Sequence, residues 1–415
     1  MKRYPQDDIQ KTTLPNGLRI VTETIDSVRS LSCGVWVKTG SRHETDRQAG
    51  ITHFLEHMLF KGTENRSAFD IVQTMESVGG FLNAFTSLEH TCYYSRCLDS
   101  EKERAIDVLS DMVLRSTFPP EEIEKEKKVI IEEMKMYRDS PEDYIFEIFN
   151  GLMFENHPLG RPILGYEHTV NSFAQDALSA YLAQRYNPAN TVLSVAGNVT
   201  HQEIVDLALR YFTVDSSPYV PVEDLPLSTF VKQHKRVSRA IEQTHLVLGR
   251  RSLGINHPNR YELLLANTLL SGGMSSRLNQ NIREKYGYCY SVSSFNQAYH
   301  DTGLFGVYAG TDESYAEHVQ ELIYQELGRL GSEIVPEKEL MEAKSQLKGK
   351  LLLGQENMSN RMTRLAKSEL YFDRYISLDE LVEHIDAVTS EEIRNFAVDF
   401  FNPEFFTETI LVPES

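Results

Sequence analysis

His53, Glu56 and His57 stand in the run His-Phe-Leu-Glu-His, and on a helix that spacing suits metal-assisted hydrolysis. Residues four apart on a helix share a face, so His53 and His57 can turn ring nitrogens toward one ion. Glu56 falls about 60° around from His53, on the same side, where a carboxylate can stand beside an ion without ligating it. Two imidazoles, a nearby carboxylate and an open coordination position are what zinc-assisted hydrolysis requires: the ion acidifies a water and polarises a carbonyl, and the carboxylate acts as base. The competing reading is two core histidines satisfied by backbone partners, so a third ligand downstream decides between them.

The positioning elements come next. The apolar run Ala49–Phe60 follows polar Glu44–Gln48 and stops at Lys61-Gly62. It reads as one buried helix, with Thr45 and Asp46 as capping candidates and a glycine beyond its end. Pro119-Pro120 then opens a charged helical segment, Glu121–Asp139, closed by Ser140-Pro141. Glu126 and Glu133 are seven apart there and face the same way. One can reach the metal while the other hydrogen-bonds a ligand or the ion's water. The same helix carries Glu121, Glu122, Glu124 and Glu132, so a solvated acidic face is the alternative.

His-x-x-Glu-His followed after 76 residues by a Glu within Glu-Lys-Lys-Val-Ile-Ile-Glu-Glu resembles the family of mitochondrial processing peptidase, pitrilysin and insulin-degrading enzyme. The likeness runs over nearly the whole chain and is nearest the bacterial processing-peptidase-like branch. It implies that His53, His57 and Glu133 hold zinc, that Glu56 is the base and that Glu126 is the supporting carboxylate. It also implies that Arg283 and Tyr290, either side of Gly287, approach the scissile carbonyl from the far domain. A guanidinium and a phenol there would donate to the developing oxyanion; from the residues alone they read equally as a surface arginine and an ordinary strand aromatic. Finally, the resemblance implies that the strand Phe81–Thr86 offers its edge to an extended substrate, with Phe81, Asn83, Ala84 and Phe85 in contact. Such strand addition holds a peptide through its backbone and leaves sequence selectivity loose.

A chain of 415 residues is too long for one ordinary core, which argues for two domains. Asp215–Gln233, with Pro218, Pro221 and Pro226, has linker character. The expected division is a zinc-binding catalytic domain over 1–214, a linker over 215–235 and a homologous substrate-binding domain over 236–415. The halves echo each other: Phe295–His300 repeats Phe85–His90 at an offset of 210, and Phe401-Asn402-Pro403 repeats Tyr186-Asn187-Pro188. Only the first half holds His-x-x-Glu-His. Strands are expected at Arg19–Thr24, Ser30–Val37, Phe81–Ser87, Thr91–Leu98, Thr191–Ala196 and Ala240–Gly249, the first two half-buried. The fold class is α+β: two duplicated domains, each a mainly antiparallel sheet with helices packed on one face.

A net charge of −18 argues against nucleic acid as a partner and favours cationic ones. No apolar stretch is long enough for a membrane span, and the first residues lack a signal peptide's apolar core. Cys92 and Cys97 lie five apart in one strand, hence on opposite faces, and a reducing cytoplasmic setting follows. The expectation is a zinc metalloendopeptidase acting on peptides or unfolded polypeptide in a chamber enclosed by a homodimer. Two alternatives accompany it: an inactive peptide-binding scaffold subunit, and a presequence-processing peptidase with a non-identical partner.

Overall fold

A computed structural model of the chain describes residues 8–213 and 225–414. The first part of the expected linker lies outside the described residues, and His234 already opens a strand. In chain order the first half contains β1 (Ile9–Thr13), β2 (Arg19–Thr24), β3 (Ser30–Val37), α1 (Ile51–Met58), α2 (Ala68–Glu76), β4 (Phe81–Thr86) and β5 (Thr91–Leu98). It continues through α3 (Lys102–Arg115), α4 (Pro120–Asp139), α5 (Pro141–Met153), α6 (Glu167–Ser172), α7 (Gln175–Arg185), β6 (Thr191–Gly197) and α8 (His201–Tyr211). The second half contains β7 (His234–Arg239), β8 (Thr244–Ser252), α9 (Arg260–Ser271), β9 (Cys289–Ala298), β10 (Gly303–Thr311) and α10 (Ala316–Ser332). It closes with α11 (Glu337–Gly354), α12 (Met358–Phe372), α13 (Leu378–Ala387), α14 (Ser390–Phe400) and β11 (Thr407–Pro413).

Two sheets form, ordered β1-β2-β6-β3-β5-β4 and β7-β11-β8-β10-β9. Replacing β2, β6, β3, β5 and β4 by β7, β11, β8, β10 and β9 converts one order into the other. The parallel pair sits at the same place in both, β2 with β6 and β7 with β11, and every other pairing is antiparallel. That correspondence is the duplication. The Asn-Pro echo is its local signature: Asn187 and Asn402 each cap a short turn through the side chain, each followed by proline and then by β6 or β11. The Phe–His echo is out of register. Ser87 N–H donates to His90 and Tyr299 N–H donates to Thr302, so the matching hairpin turns are two residues further apart than the sequence echo implies. One strand expected at Ala240–Gly249 is also corrected, to β7 and β8. The charged sequence of β7, His-Lys-Arg-Val-Ser-Arg, hides an edge strand by the alternation rule.

The chain folds as two compact units, and neither is a continuous stretch of sequence. Residues 137–160, carrying α5, belong with the second sheet, and residues 354–376, carrying α12, belong with the first. The division expected at 1–214 and 236–415 is corrected by this exchange of one helix each way. Packing explains it. On the second sheet Phe146 of α5 meets Phe295 and Tyr308, and Phe149 meets Phe295. On the first, Trp36 Nε1 donates to Met362 Sδ at 3.0 Å, Ser194 Oγ donates to the Met362 carbonyl at 2.7 Å, and Lys11 pairs with Glu369 at 2.6 Å. Thus the main helical layer of the first unit covers one face of its sheet and α12 covers part of the other. β3 is consequently buried on both faces along almost its whole length, whereas its alternation suggested a half-buried strand.

Leu365 on α12 is 1% exposed among Val21, Trp36 and Val192. Truncation there leaves a cavity that the two layers cannot close, so Leu365→Ala is expected to cost about 2–5 kcal/mol. Urea unfolding monitored by Trp36 fluorescence checks this; an unchanged midpoint contradicts the packing role of α12.

Candidate metal centre

Helix α1 is only eight residues long, and six of them are buried. Its start is not made by Thr45 or Asp46, which instead belong to a short turn at Asp46–Gln48. Gly50 enters the helix with φ +92°, and a Cβ there would lie 2.4 Å from the Leu164 carbonyl oxygen, so only glycine fits. The cap is Glu44. One carboxylate oxygen accepts from Gly50 N–H at 2.8 Å and the other from Thr52 N–H at 2.8 Å, satisfying helix-start donors that have no intrahelical partner. Burial pushes the Glu44 carboxyl up to about 7 against the pull of those bonds. Arg161 fixes the segment by donating to the Glu44 carbonyl at 2.8 Å and pairing with Asp46.

With α1 held, His53 and His57 project from one face, ring centroids 4.7 Å apart. Glu133 on α4 comes to meet them: its Oε2 is 3.8 Å from His53 Nε2 and 3.7 Å from His57 Nε2. One ligand atom from each residue lies within 4.8 Å of the others. These separations exceed hydrogen-bond length yet are close to the spacing, about 3.3 Å, between ligand atoms around a tetrahedral ion with 2.0–2.1 Å bonds. His53 is buried, and neither of its ring nitrogens has a hydrogen bond among the described residues. A buried imidazole facing a carboxylate just beyond bonding distance suits a cation between them. The residues therefore fit zinc. Glu126, two helical turns earlier on α4, does not join the three; its Oε2 accepts from His57 Nδ1 at 2.9 Å, the role expected of a supporting carboxylate.

The electrostatics follow the geometry. Burial, with some help from the charge of His57, lowers the His53 pKa to about 3. Burial alone would lower His57 as well, but the Glu126 hydrogen bond and the charges of Glu56, Glu126 and Glu133 raise it instead. Burial raises Glu133 and Glu56 above the ordinary carboxylate range. Glu56 is half-buried beside the ligands, and the hydroxyl of Thr86 donates to its Oε2 at 2.5 Å. Thr86 is the last residue of β4, so strand and base are in direct contact.

β4 is an edge strand. Ser87 N–H bonds the His90 carbonyl, and alternation from that pair turns the backbone groups of Leu82, Ala84 and Thr86 outward. Among the described residues Ala84 N–H has only a local partner, the Asn83 side chain at 2.9 Å. Phe81 and Phe85 point to the other face, over Tyr94, at 42% and 36% exposure. Arg283 and Tyr290 belong to the second unit. Arg283 sits on a π-helical turn, Asn279–Glu284, near enough to β9 for its charge to act on Cys289; neighbouring Tyr290 is 80% exposed. All four cysteines are free and buried.

Three further residues belong to this site. Glu44 caps across six residues through a left-handed glycine, outside the usual window. Thr86 is betrayed only by strand alternation, which sets it opposite Phe85. Lys61 follows His57 by four, one helical turn, and its ammonium lies 2.5 Å from Glu126 Oε1.

Known proteins resemble this chain over almost its whole length. Residues 19–167 match the family described as insulinase, peptidase family M16, and residues 172–347 match the peptidase M16 inactive domain. The uncharacterised zinc protease YmxG of Bacillus subtilis is 40% identical, covering 96% of this chain and 97% of its own. An uncharacterised zinc protease of Streptomyces coelicolor is 39% identical over 94% of this chain and 87% of its own. The fold recurs in a protease from Helicobacter pylori, with a TM-score of 0.90 at 22% identity, covering 98% of this chain and 99% of that one. It recurs also in a peptidase M16 inactive domain from Pseudomonas fluorescens, with a TM-score of 0.91 at 18% identity and coverage of 98% and 99%. The two sheets and these matches together define an M16-type peptidase fold. The chain belongs to peptidase family M16.

Because metal ligands must be deprotonated, the two histidines respond differently to acid. At pH 6 the raised His57 favours a proton that zinc must displace, whereas His53, lowered to about 3, is neutral. Titration calorimetry in buffers of different ionisation enthalpy is expected to show net proton release on zinc binding at that pH; zinc binding without proton release contradicts the role of His57.

Proposed function

We propose that the protein is a zinc metalloendopeptidase acting on peptides and unfolded polypeptide. The observation that carries this reading is the meeting of His53, His57 and Glu133 within 4.8 Å, with Glu56 on the same short helix as both histidines. Bound there, zinc would lower the pKa of a water and polarise the scissile carbonyl. Glu56 takes the attacking water's proton through the oxygen that Thr86 leaves free and returns it to the leaving amine. Thr86 holds the other oxygen, which orients the carboxylate. An extended substrate pairs with the outward backbone groups of Leu82, Ala84 and Thr86, beside Asn83, and its alternate side chains lie along Phe81 and Phe85.

Enclosure by two copies of the chain completes the reading. The zinc motif occurs once, in the first half, and the exposed Tyr290 with Arg283 offers an oxyanion-stabilising pair from the second unit of the other copy. An exposed edge such as β4 is an aggregation hazard that a closed chamber removes. No helix among the described residues is long and apolar enough to cross a membrane, and we place the activity in the cytoplasm. The intact ligand set favours an enzyme over a scaffold subunit.

Glu56→Gln keeps the side chain's shape and removes the base. It is expected to lower peptide turnover at least about a hundredfold while zinc content, read by mass spectrometry of the purified protein, stays at the wild-type level. Substantial residual turnover contradicts the role of Glu56. Mixing Glu56→Gln with Tyr290→Phe protomers tests the chamber: activity regained in the mixed dimer is expected, and none in a demonstrated mixed dimer contradicts action across protomers.

A further inference from the structure

Little water reaches Glu126, the carboxylate behind His57: its side chain is 5% exposed. A buried carboxylate stays an anion only when opposite charge or donors compensate it. A ligating imidazole is neutral, so in the zinc-loaded protein His57 offers Glu126 a hydrogen bond but no charge. Among the described residues the other group on that carboxylate is Lys61, 2.5 Å from Oε1 while His57 Nδ1 is 2.9 Å from Oε2. Both oxygens are thereby occupied, one by each partner, and the carboxylate plane is fixed.

Lys61 itself is held in place. It lies on the turn leaving α1, where its N–H donates to the Met58 carbonyl at 3.0 Å. Gly62 follows with φ +124°, and Thr63 anchors the turn by donating to Asp111 at 2.7 Å, a carboxylate also bonded by Arg66 at 2.8 Å. At 28% exposure the ammonium stands between solvent and the buried carboxylate, unlike a freely solvated surface pair of little worth.

We propose that Lys61 is a positioning residue of the metal centre: by clamping Glu126 onto the rear nitrogen of His57 it aims the front nitrogen at the ion and strengthens zinc binding. This rests on the zinc-site reading above. Supporting partners of metal ligands typically contribute 10–100-fold in affinity, and Lys61 acts one bond further out, through Glu126.

The test is zinc affinity, measured by competition with a chromophoric chelator, for Lys61→Met, Lys61→Arg, Glu126→Gln and the Lys61→Met/Glu126→Gln double variant, with circular dichroism confirming the fold of each. Lys61→Met is expected to weaken zinc binding about 10-fold, the lower end of that range, and Lys61→Arg to stay near wild type. In the Glu126→Gln background Lys61→Met is expected to cost nothing further. Lys61→Gln, a second uncharged variant, replaces Lys61→Met if the latter does not fold. An unaltered affinity in the uncharged variant overturns the proposal, as does an equal loss in both Glu126 backgrounds. Wild-type protein that takes up no zinc contradicts the metal-site reading itself, whereas zinc-binding wild type with an indifferent Lys61 contradicts this inference alone.

Discussion

Everything in the first unit that concerns chemistry hangs on an eight-residue helix held rigid at both ends. A helix this short has little stability of its own, and more than a few tenths of an ångström of play would ruin a three-ligand site. The fold supplies the stiffness from outside. Glu44 ties the start of α1 to a loop pinned by Arg161, Thr52 hydrogen-bonds Tyr181 of α7 at 2.7 Å, and the turn beyond the helix is moored to Asp111 of α3. Buried Phe54, Leu55 and Met58 fasten the helix to the core beneath.

The second helix, α4, meets this platform with carboxylates two turns apart, and their different depths give them different work. Glu133 is half-buried and reaches both imidazoles; Glu126 is almost wholly buried and reaches the back of one. Other glutamates of α4 serve neither purpose: Glu122, Glu124 and Glu132 pair with lysines three residues on, leaving that surface close to neutral. One helix thus presents a solvated, charge-paired face and one turned toward the two histidines. The contact between Thr86 and Glu56 adds a third feature, since it makes the free edge of the sheet and the proposed base neighbours. A peptide bound to that edge would be in register with the chemistry by the geometry of the strand alone.

Much of this was legible from residue order because helix and strand periodicities act locally. Four-residue spacing put both histidines on one face, seven-residue spacing put Glu126 and Glu133 in line, and the strands Arg19–Thr24, Ser30–Val37 and Thr91–Leu98 fall where alternation placed them. Choosing Glu133 over Glu126 as ligand took the family resemblance, as periodicity leaves the two equivalent. What local rules do not report is which distant surface a segment packs on. Helices α5 and α12 carry ordinary apolar faces, and nothing in their own residues says that each belongs with the other half's sheet. Glu44 was obscured for a related reason: its bond to α1 passes through a backbone turn that only a tertiary neighbour, the Leu164 carbonyl, makes obligatory for glycine.

The claim that three side chains from two helices share one zinc ion is tested most directly by metal analysis of purified wild-type and Glu133→Ala protein, paired with dissociation constants and circular dichroism. The account predicts one zinc per wild-type chain and a loss of binding by about a hundredfold or more in a Glu133→Ala protein that remains folded. A folded Glu133→Ala variant that holds zinc as tightly as wild type would contradict it.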